Sequence, residues 1–214
     1  MRKMMTGVAF AAALLMCGGS ASAVDQLLTG KKLLILTPPS GPANNKIVYL
    51  NKDTDIANPA SSLEDPRCPT DGTNSAQLRL RSQSTLPPQD LIIPLPCANW
   101  TVNGAGNMWK YKDTSGATCK IVIIKGTKLM KAVCKGAQVV WNLGQDQGEV
   151  EVGIRAGSAP RRWCTAFDDV APLGCTVVKN GIDNKKYLAK NCTGAPATCT
   201  ASPSGAFVDV ASLF

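Results

Sequence analysis

Histidine is absent from the 214 residues, and that absence closes much of enzyme chemistry. Serine and cysteine triads lose their general base, histidine-ligated zinc loses its donor, and c-type haem attachment is ruled out. No two cysteines have the two-residue spacing of a zinc ribbon or knuckle, so thiolate metal sites and cofactors are not expected. Aromatic residues make up only 5% of the chain. No aromatic–basic motif accompanies them, which removes nucleic acid from the expected partners. Beyond the N-terminus no apolar stretch approaches the ~20 residues a membrane helix needs, so no transmembrane segment is expected. Runs of five or six like charges are missing, and so is any convincing helical periodicity.

What is present begins with an export signal. Arg2 and Lys3 precede an apolar stretch from Val8 to Met16, and small residues follow at Ala21 and Ala23. This layout predicts cleavage after Ala23 and a mature chain starting at Val24, secreted or periplasmic. Leu14-Leu15-Met16-Cys17 offers an alternative, lipid anchoring at Cys17, but Met16 is bulky where that motif wants a small residue. Loss of Arg2 and Lys3 lowers the net charge from +8 to about +6. The basic residues are separated along the chain, as expected of solvated strand faces and turns; attraction to an anionic glycan is the functional alternative.

Of nine cysteines, one lies in the signal. The remainder, Cys68, Cys97, Cys119, Cys134, Cys164, Cys175, Cys192 and Cys199, form an even set, which in an exported chain predicts four disulfides. One pairing follows from geometry. Two β-prone runs, Lys120–Lys125 and Lys128–Val133, flank Gly126-Thr127, a Gly-X pair suited to a type II′ turn. A two-residue loop there sets Cys119 directly opposite Cys134, at a Cα separation of ~5.5 Å that a disulfide can bridge. That register makes them a hydrogen-bonded pair, a setting in which a bulge is expected to adjust the geometry.

Ten strand candidates recur between turn residues: Lys32–Leu36, Lys46–Asn51, Ala76–Arg81, Asp90–Leu95, Met108–Lys112, Cys119–Ile124, Leu129–Cys134, Gln138–Leu143, Glu149–Arg155 and Arg162–Phe167. Alternation is clearest in Ala76–Arg81 and Glu149–Arg155, as on sheets with one wet face. The expected fold is all-β, an antiparallel β-sandwich, with a β-barrel as the alternative. After the signal (1–23), the sandwich domain spans 24–170. Residues 171–214 read as a cysteine-rich extension strapped back by disulfides, with a small hairpin around Asn180-Gly181, too polar to build its own core.

The order of short phrases resembles an uncharacterised secreted β-rich domain that recurs in exported proteins of environmental bacteria. The likeness rests on Gly30-Lys-Lys-Leu-Leu34, Lys46–Asp53, Asp65-Pro66, Asn99-Trp100, Trp109–Lys112, the Cys119–Cys134 hairpin and Trp163–Phe167. It carries no catalytic signature. It implies a bacterial exported module, in which the sequons Asn99-Trp-Thr101 and Asn191-Cys-Thr193 have no glycosylation meaning.

Carboxylate chemistry is the main enzymatic route left, since a glycosidase needs only two facing acids. The candidates are Glu149/Glu151, Asp168/Asp169 and Glu64/Asp65. The first two have structural alternatives: a wet strand face for Glu149/Glu151, turn or strand-end hydrogen bonds for Asp168/Asp169. Asn51-Lys-Asp53-Thr-Asp55 resembles the start of a calcium loop, but Ile56 stands where glycine is required and Ser62 where a bidentate glutamate belongs. Among the four tryptophans, Trp141 and Trp163 are expected in the core beside disulfides, and Trp109 is expected to be the exposed one. The expectation is therefore a non-enzymatic binding or structural domain whose partner is an anionic glycan or another surface protein. The alternative is a carboxylate-dependent polysaccharide hydrolase.

Overall fold

Alternating strands need two neighbours and a partner sheet to bury their apolar side, and this chain supplies both. The computed structural model describes residues 25–68, 76–83, 88–157, 161–181 and 185–199; the signal segment and Cys17 lie outside them. Thirteen strands follow in order: β1 (Asp25–Leu27), β2 (Gly30–Leu36), β3 (Lys46–Asn51), β4 (Ala76–Ser82), β5 (Gln89–Leu95), β6 (Trp100–Val102), β7 (Met108–Lys112), β8 (Cys119–Lys125), β9 (Leu129–Lys135), β10 (Val150–Arg155), β11 (Arg162–Phe167), β12 (Thr176–Asn180) and β13 (Lys186–Lys190). They form a five-stranded sheet, β1-β11-β10-β4-β5, and an eight-stranded sheet, β12-β13-β2-β3-β9-β8-β7-β6. Every pairing is antiparallel except β1 with β11. This is the expected sandwich; the sheets do not close into a barrel.

The core lies between the sheets. Leu33, Ile35, Ile47, Tyr49, Val122, Ile124 and Met130 of the larger sheet meet Leu78, Leu80, Val152, Ile154, Trp163 and Phe167 of the smaller one, all fully buried. A polar bridge crosses it. The Tyr49 and Thr165 hydroxyls hydrogen-bond at 2.7 Å, and Asn51 Nδ2 donates to Thr165 Oγ1 and to the Thr29 carbonyl. Because each buried polar atom here has a partner, the bridge fixes the relative position of the sheets without leaving an orphaned donor. Burial pushes the Tyr49 hydroxyl up to about 12 against the hydrogen bonds of Thr165 and Asn51, so it stays protonated.

The C-terminal extension borrows this core. The hairpin β12–β13 forms around Asn180-Gly181 and pairs with β2 from Lys186↔Leu36 to Lys190↔Lys32. Tyr187 and Ala189 enter the common cluster, and Tyr187 donates to the Phe167 carbonyl. Cys175–Cys192 ties the base of this hairpin and Cys164–Cys199 straps the chain to β11, while Cys68–Cys97 joins the loop after β3 to the turn after β5.

Two local expectations are corrected. Cys119 is bonded to Cys134, with Cα atoms 3.8 Å apart, but the loop is not a two-residue type II′ turn. Lys125 pairs with Leu129, and the register slips at Lys120 so that Cys119 regains Cys134. Positive φ falls on Thr127, not on Gly126. Asn58 packs against this turn: its Oδ1 accepts from the Gly126 amide at 2.8 Å, and a Cβ on Gly126 would collide with that side chain. The second concerns Gln138–Leu143, which is no strand. Its alternation is real, since Val139, Trp141 and Leu143 are buried. The segment crosses from one sheet to the other, however, and side-chain amides replace ladder partners: Asn45 donates to the Val139 carbonyl, and Gln89 both accepts from and donates to Asn142.

Candidate functional site

The acids singled out from the sequence are mostly committed to structure. Glu64 accepts from the Ala60 amide and from Arg161, and Asp65 from Arg67 at both carboxylate oxygens. Burial alone would raise Asp65, but the Arg67 hydrogen bonds prevail and hold it below its ordinary value. Glu151, expected on a wet strand face, is instead buried in β10. Asn51, Asp53 and Asp55 do not cage a cation: Asn51 Oδ1 accepts from the Asp53 amide, Asp53 Oδ1 from Asp55 and Asp53 Oδ2 from Thr29. The one group of potential metal ligands among the described residues is Asp25, Cys164 and Cys199, whose sulfurs are spent on a disulfide. Trp109, expected at the surface, is buried with the other three tryptophans. Its position on β7 alternates with Lys110, which takes the wet side.

The structure does bring together two acids from different candidate pairs. Glu149 and Asp168 lie one residue beyond the terminal Val150↔Phe167 pair of the β10–β11 ladder. Burial, then the Asp168 charge, pushes Glu149 up; burial, then Asp169, pushes Asp168 up. A 260 Å³ hollow beside Glu149 is lined by Gln83, Pro172, Leu173 and Pro196, without Asp168.

A larger feature comes from the lysines. In the described strands every lysine belongs to the eight-stranded sheet, twelve in all, and those strands contain no aspartate or glutamate. Every strand arginine belongs to the five-stranded sheet, whose strands contain no lysine. Among the described residues, the ion pairs are arginine–carboxylate: Arg67–Asp65, Arg79–Asp90, Arg161–Glu64 and Arg162–Asp25. Arg79 and Arg162 are buried and grip their carboxylates with two nitrogens each, pairing that suits guanidinium, whereas ammonium groups remain hydrated point charges.

Cross-strand register gathers the lysines into rows on the outer face. One row runs Lys190, Lys32, Leu50, Lys131, Ile123, Lys110. Another runs Lys186, Leu36, Lys46, Lys135, and between them lies Leu188, Leu34, Val48, Val133, Ile121, Lys112. The aliphatic row is half-buried, as expected where lysine stems lie along it. Bulges at Lys31 and Lys120 each turn one further lysine outward. Lys190 faces Lys32 and Lys46 faces Lys135, like charges directly opposed with strands ~4.8 Å apart, an arrangement that costs stability.

At one corner the face becomes concave. A 510 Å³ pocket there is lined by Lys110, Lys112, Lys120 and Lys135, with Ile121 and the β7–β8 loop residues including Asp113 and Thr118. Asp113, buried, accepts four hydrogen bonds, from the amide and hydroxyl of Ser115 and of Thr118. The Ser115 hydroxyl first, and the Thr118 bonds after it, hold its carboxyl down at about 2. Tyr111 hydrogen-bonds the Thr118 hydroxyl, and Gln138 donates to the Thr118 carbonyl at 2.6 Å, so the loop is braced from both sides.

Fold and face together define a disulfide-stapled antiparallel β-sandwich with one cationic sheet face whose described strands carry no carboxylate. No family model matches the sequence, and no curated protein or solved structure matches it either. The sequence expectation of evenly spread charge misses this face, because the lysines are scattered along the chain and only strand order assembles them. One signal was available: in the lysine-bearing runs the alternate positions never hold an acid.

Proposed function

We propose that this is an exported, non-enzymatic domain that binds an anionic glycan at the cell surface through the lysine face of its eight-stranded sheet. The observation that carries it is the opposed pairs Lys190/Lys32 and Lys46/Lys135 on a face whose strands hold no carboxylate. Uncompensated like charge is costly within the fold and is relieved when a polyanion supplies the counter-charge. Four disulfides fit an oxidising compartment, and the N-terminal export signal and the likeness to bacterial exported domains agree with that setting. An acidic surface protein is the alternative partner, since it offers the same charge.

The test is binding of the mature chain to alginate, to dextran sulfate and to neutral dextran across a salt series. Binding confined to the charged polymers, with affinity falling steeply as salt rises, is expected. Equal binding to neutral dextran, or no binding at low salt, overturns the reading. The hydrolase alternative has one observation in its favour, the raised Glu149 and Asp168 carboxyls at one strand end. Polysaccharide cleavage abolished by both Glu149→Gln and Asp168→Asn would establish it in place of the binding reading.

A further inference from the structure

The geometry points to the corner pocket as a subsite for a single anionic sugar residue, the anchoring point of the glycan on the lysine face. This inference rests on the proposed binding function and deepens it. Elsewhere the strands present an array of lysines and aliphatics able to attract a polyanion, and a second hollow, of 470 Å³ beside Lys31 and Lys52, is lined by only those two lysines, with Asp53 and Asn191 among its other residues. The corner pocket gathers four lysines and has three further features. It is concave, with a volume of 510 Å³, within the range of ~300–1,000 Å³ usual for small-ligand sites. Its floor combines charge with apolar surface, Ile121 and the stems of Lys110, Lys112, Lys120 and Lys135, which suits a sugar ring carrying a carboxylate or sulfate. Its wall is preorganised, because Asp113 gathers Ser115 and Thr118 while Tyr111 and Gln138 brace Thr118 from outside.

Asp113 is the one carboxylate in the lining, set against four lysines, and its two oxygens are engaged within the loop. It therefore shapes the wall and leaves the pocket cationic. The concavity itself follows from the bulge at Lys120, since a bulge bends its strand and adds an outward side chain beside a disulfide that holds β8 against β9.

Two variants of equal charge change separate anchoring from general attraction. One carries Lys112→Gln, Lys120→Gln and Lys135→Gln in the pocket; the other carries Lys179→Gln, Lys186→Gln and Lys190→Gln on β12 and β13, at the opposite edge. Affinity for alginate and for dextran sulfate is measured for both, with thermal melting to show that each is folded. The pocket variant is expected to lose roughly tenfold or more beyond the edge variant. Free galacturonate or galactose 6-sulfate, whichever matches the bound polymer, is expected to compete with the wild type and to shift the amides of residues 110–121, while galactose does neither. Equal losses in the two variants, with no competition by a charged monosaccharide, overturn the subsite and leave the lysine face standing. No loss in either variant, or no binding by the wild type, overturns both.

Discussion

The Asp113 carboxylate accepts four hydrogen bonds inside one short loop, a concentration that makes it the strongest single lever on this corner of the fold. Its folded pKa lies near 2, below the ~3.9 of an unfolded aspartate. The ionised form therefore stabilises the fold above about pH 4, and that contribution disappears as pH falls toward 2. Asp113→Ala is expected to cost about 1–3 kcal/mol at pH 7, read by denaturant titration, with the gap to wild type narrowing in acid. Gly126 is constrained differently. Its absent side chain leaves room for Asn58, with which a Cβ would collide. Gly126→Ala is expected to cost about 1–3 kcal/mol through overpacking. In an Asn58→Ala background the same change should cost clearly less, and equal costs in the two backgrounds would show that the contact is not the reason. The sequence marked Gly126 as a turn residue, yet the reason lies in a loop far away along the chain.

At the scale of elements, the period-2 pattern was a faithful guide to the core side of a segment and a less faithful one to solvent exposure and hydrogen bonding. Ala76–Arg81 lies in β4 and Val150–Arg155 forms β10, with Leu78, Leu80, Val150 and Val152 turned into the core, but the opposite side, expected to be wet, is buried at Gln77, Arg79 and Glu151. Gln138–Leu143 alternates just as well and buries Val139, Trp141 and Leu143, but it joins no strand ladder. Alternation records which side of a segment meets apolar surroundings; whether the backbone finds a ladder depends on what runs alongside. Trp109 shows the same logic, since its neighbours Lys110 and Lys112 already mark the wet side of β7. The β13–β2 pairing supplies a prediction of its own. Lys190 faces Lys32, so Lys190→Glu should stabilise the domain by about 0.5 kcal/mol at low salt. That gain should vanish near 1 M salt, where screening acts over ~3 Å. If the lysine rows bind a polyanion, the same variant weakens binding, and stability and function move in opposite directions.

For the whole molecule, disulfides and the partition of basic residues are the dominant facts. The Cys119–Cys134 bridge closes a hairpin with a sequence separation of 15. Its removal as Cys119→Ala/Cys134→Ala should cost about 3 kcal/mol, measured as the shift in denaturation free energy under oxidising conditions. Under strong reductant the two proteins should converge, because the wild type then loses the same restraint. Lysines on one sheet and arginines on the other give the sandwich two chemically distinct outer faces, one paired internally and one left for solvent or a partner.

The sequence by itself determined the all-β class, the inward and outward sides of nearly every strand, the hairpin bridge Cys119–Cys134 and the absence of histidine chemistry. These are local properties, set by period-2 alternation, turn residues and composition. Tertiary structure alone decided that β13, β2 and β3 lie in that order beside the β8–β9 hairpin, with β7 on its other side, and so that lysines distant along the chain form rows. It also decided that Glu149 meets Asp168 and that Asn58 fills the space at Gly126. The physical reason is that alternation tells each residue which face to take but does not name the adjacent strand. Strand order is settled by loop closure and by packing between the two sheets, which are non-local and invisible in any single run of residues.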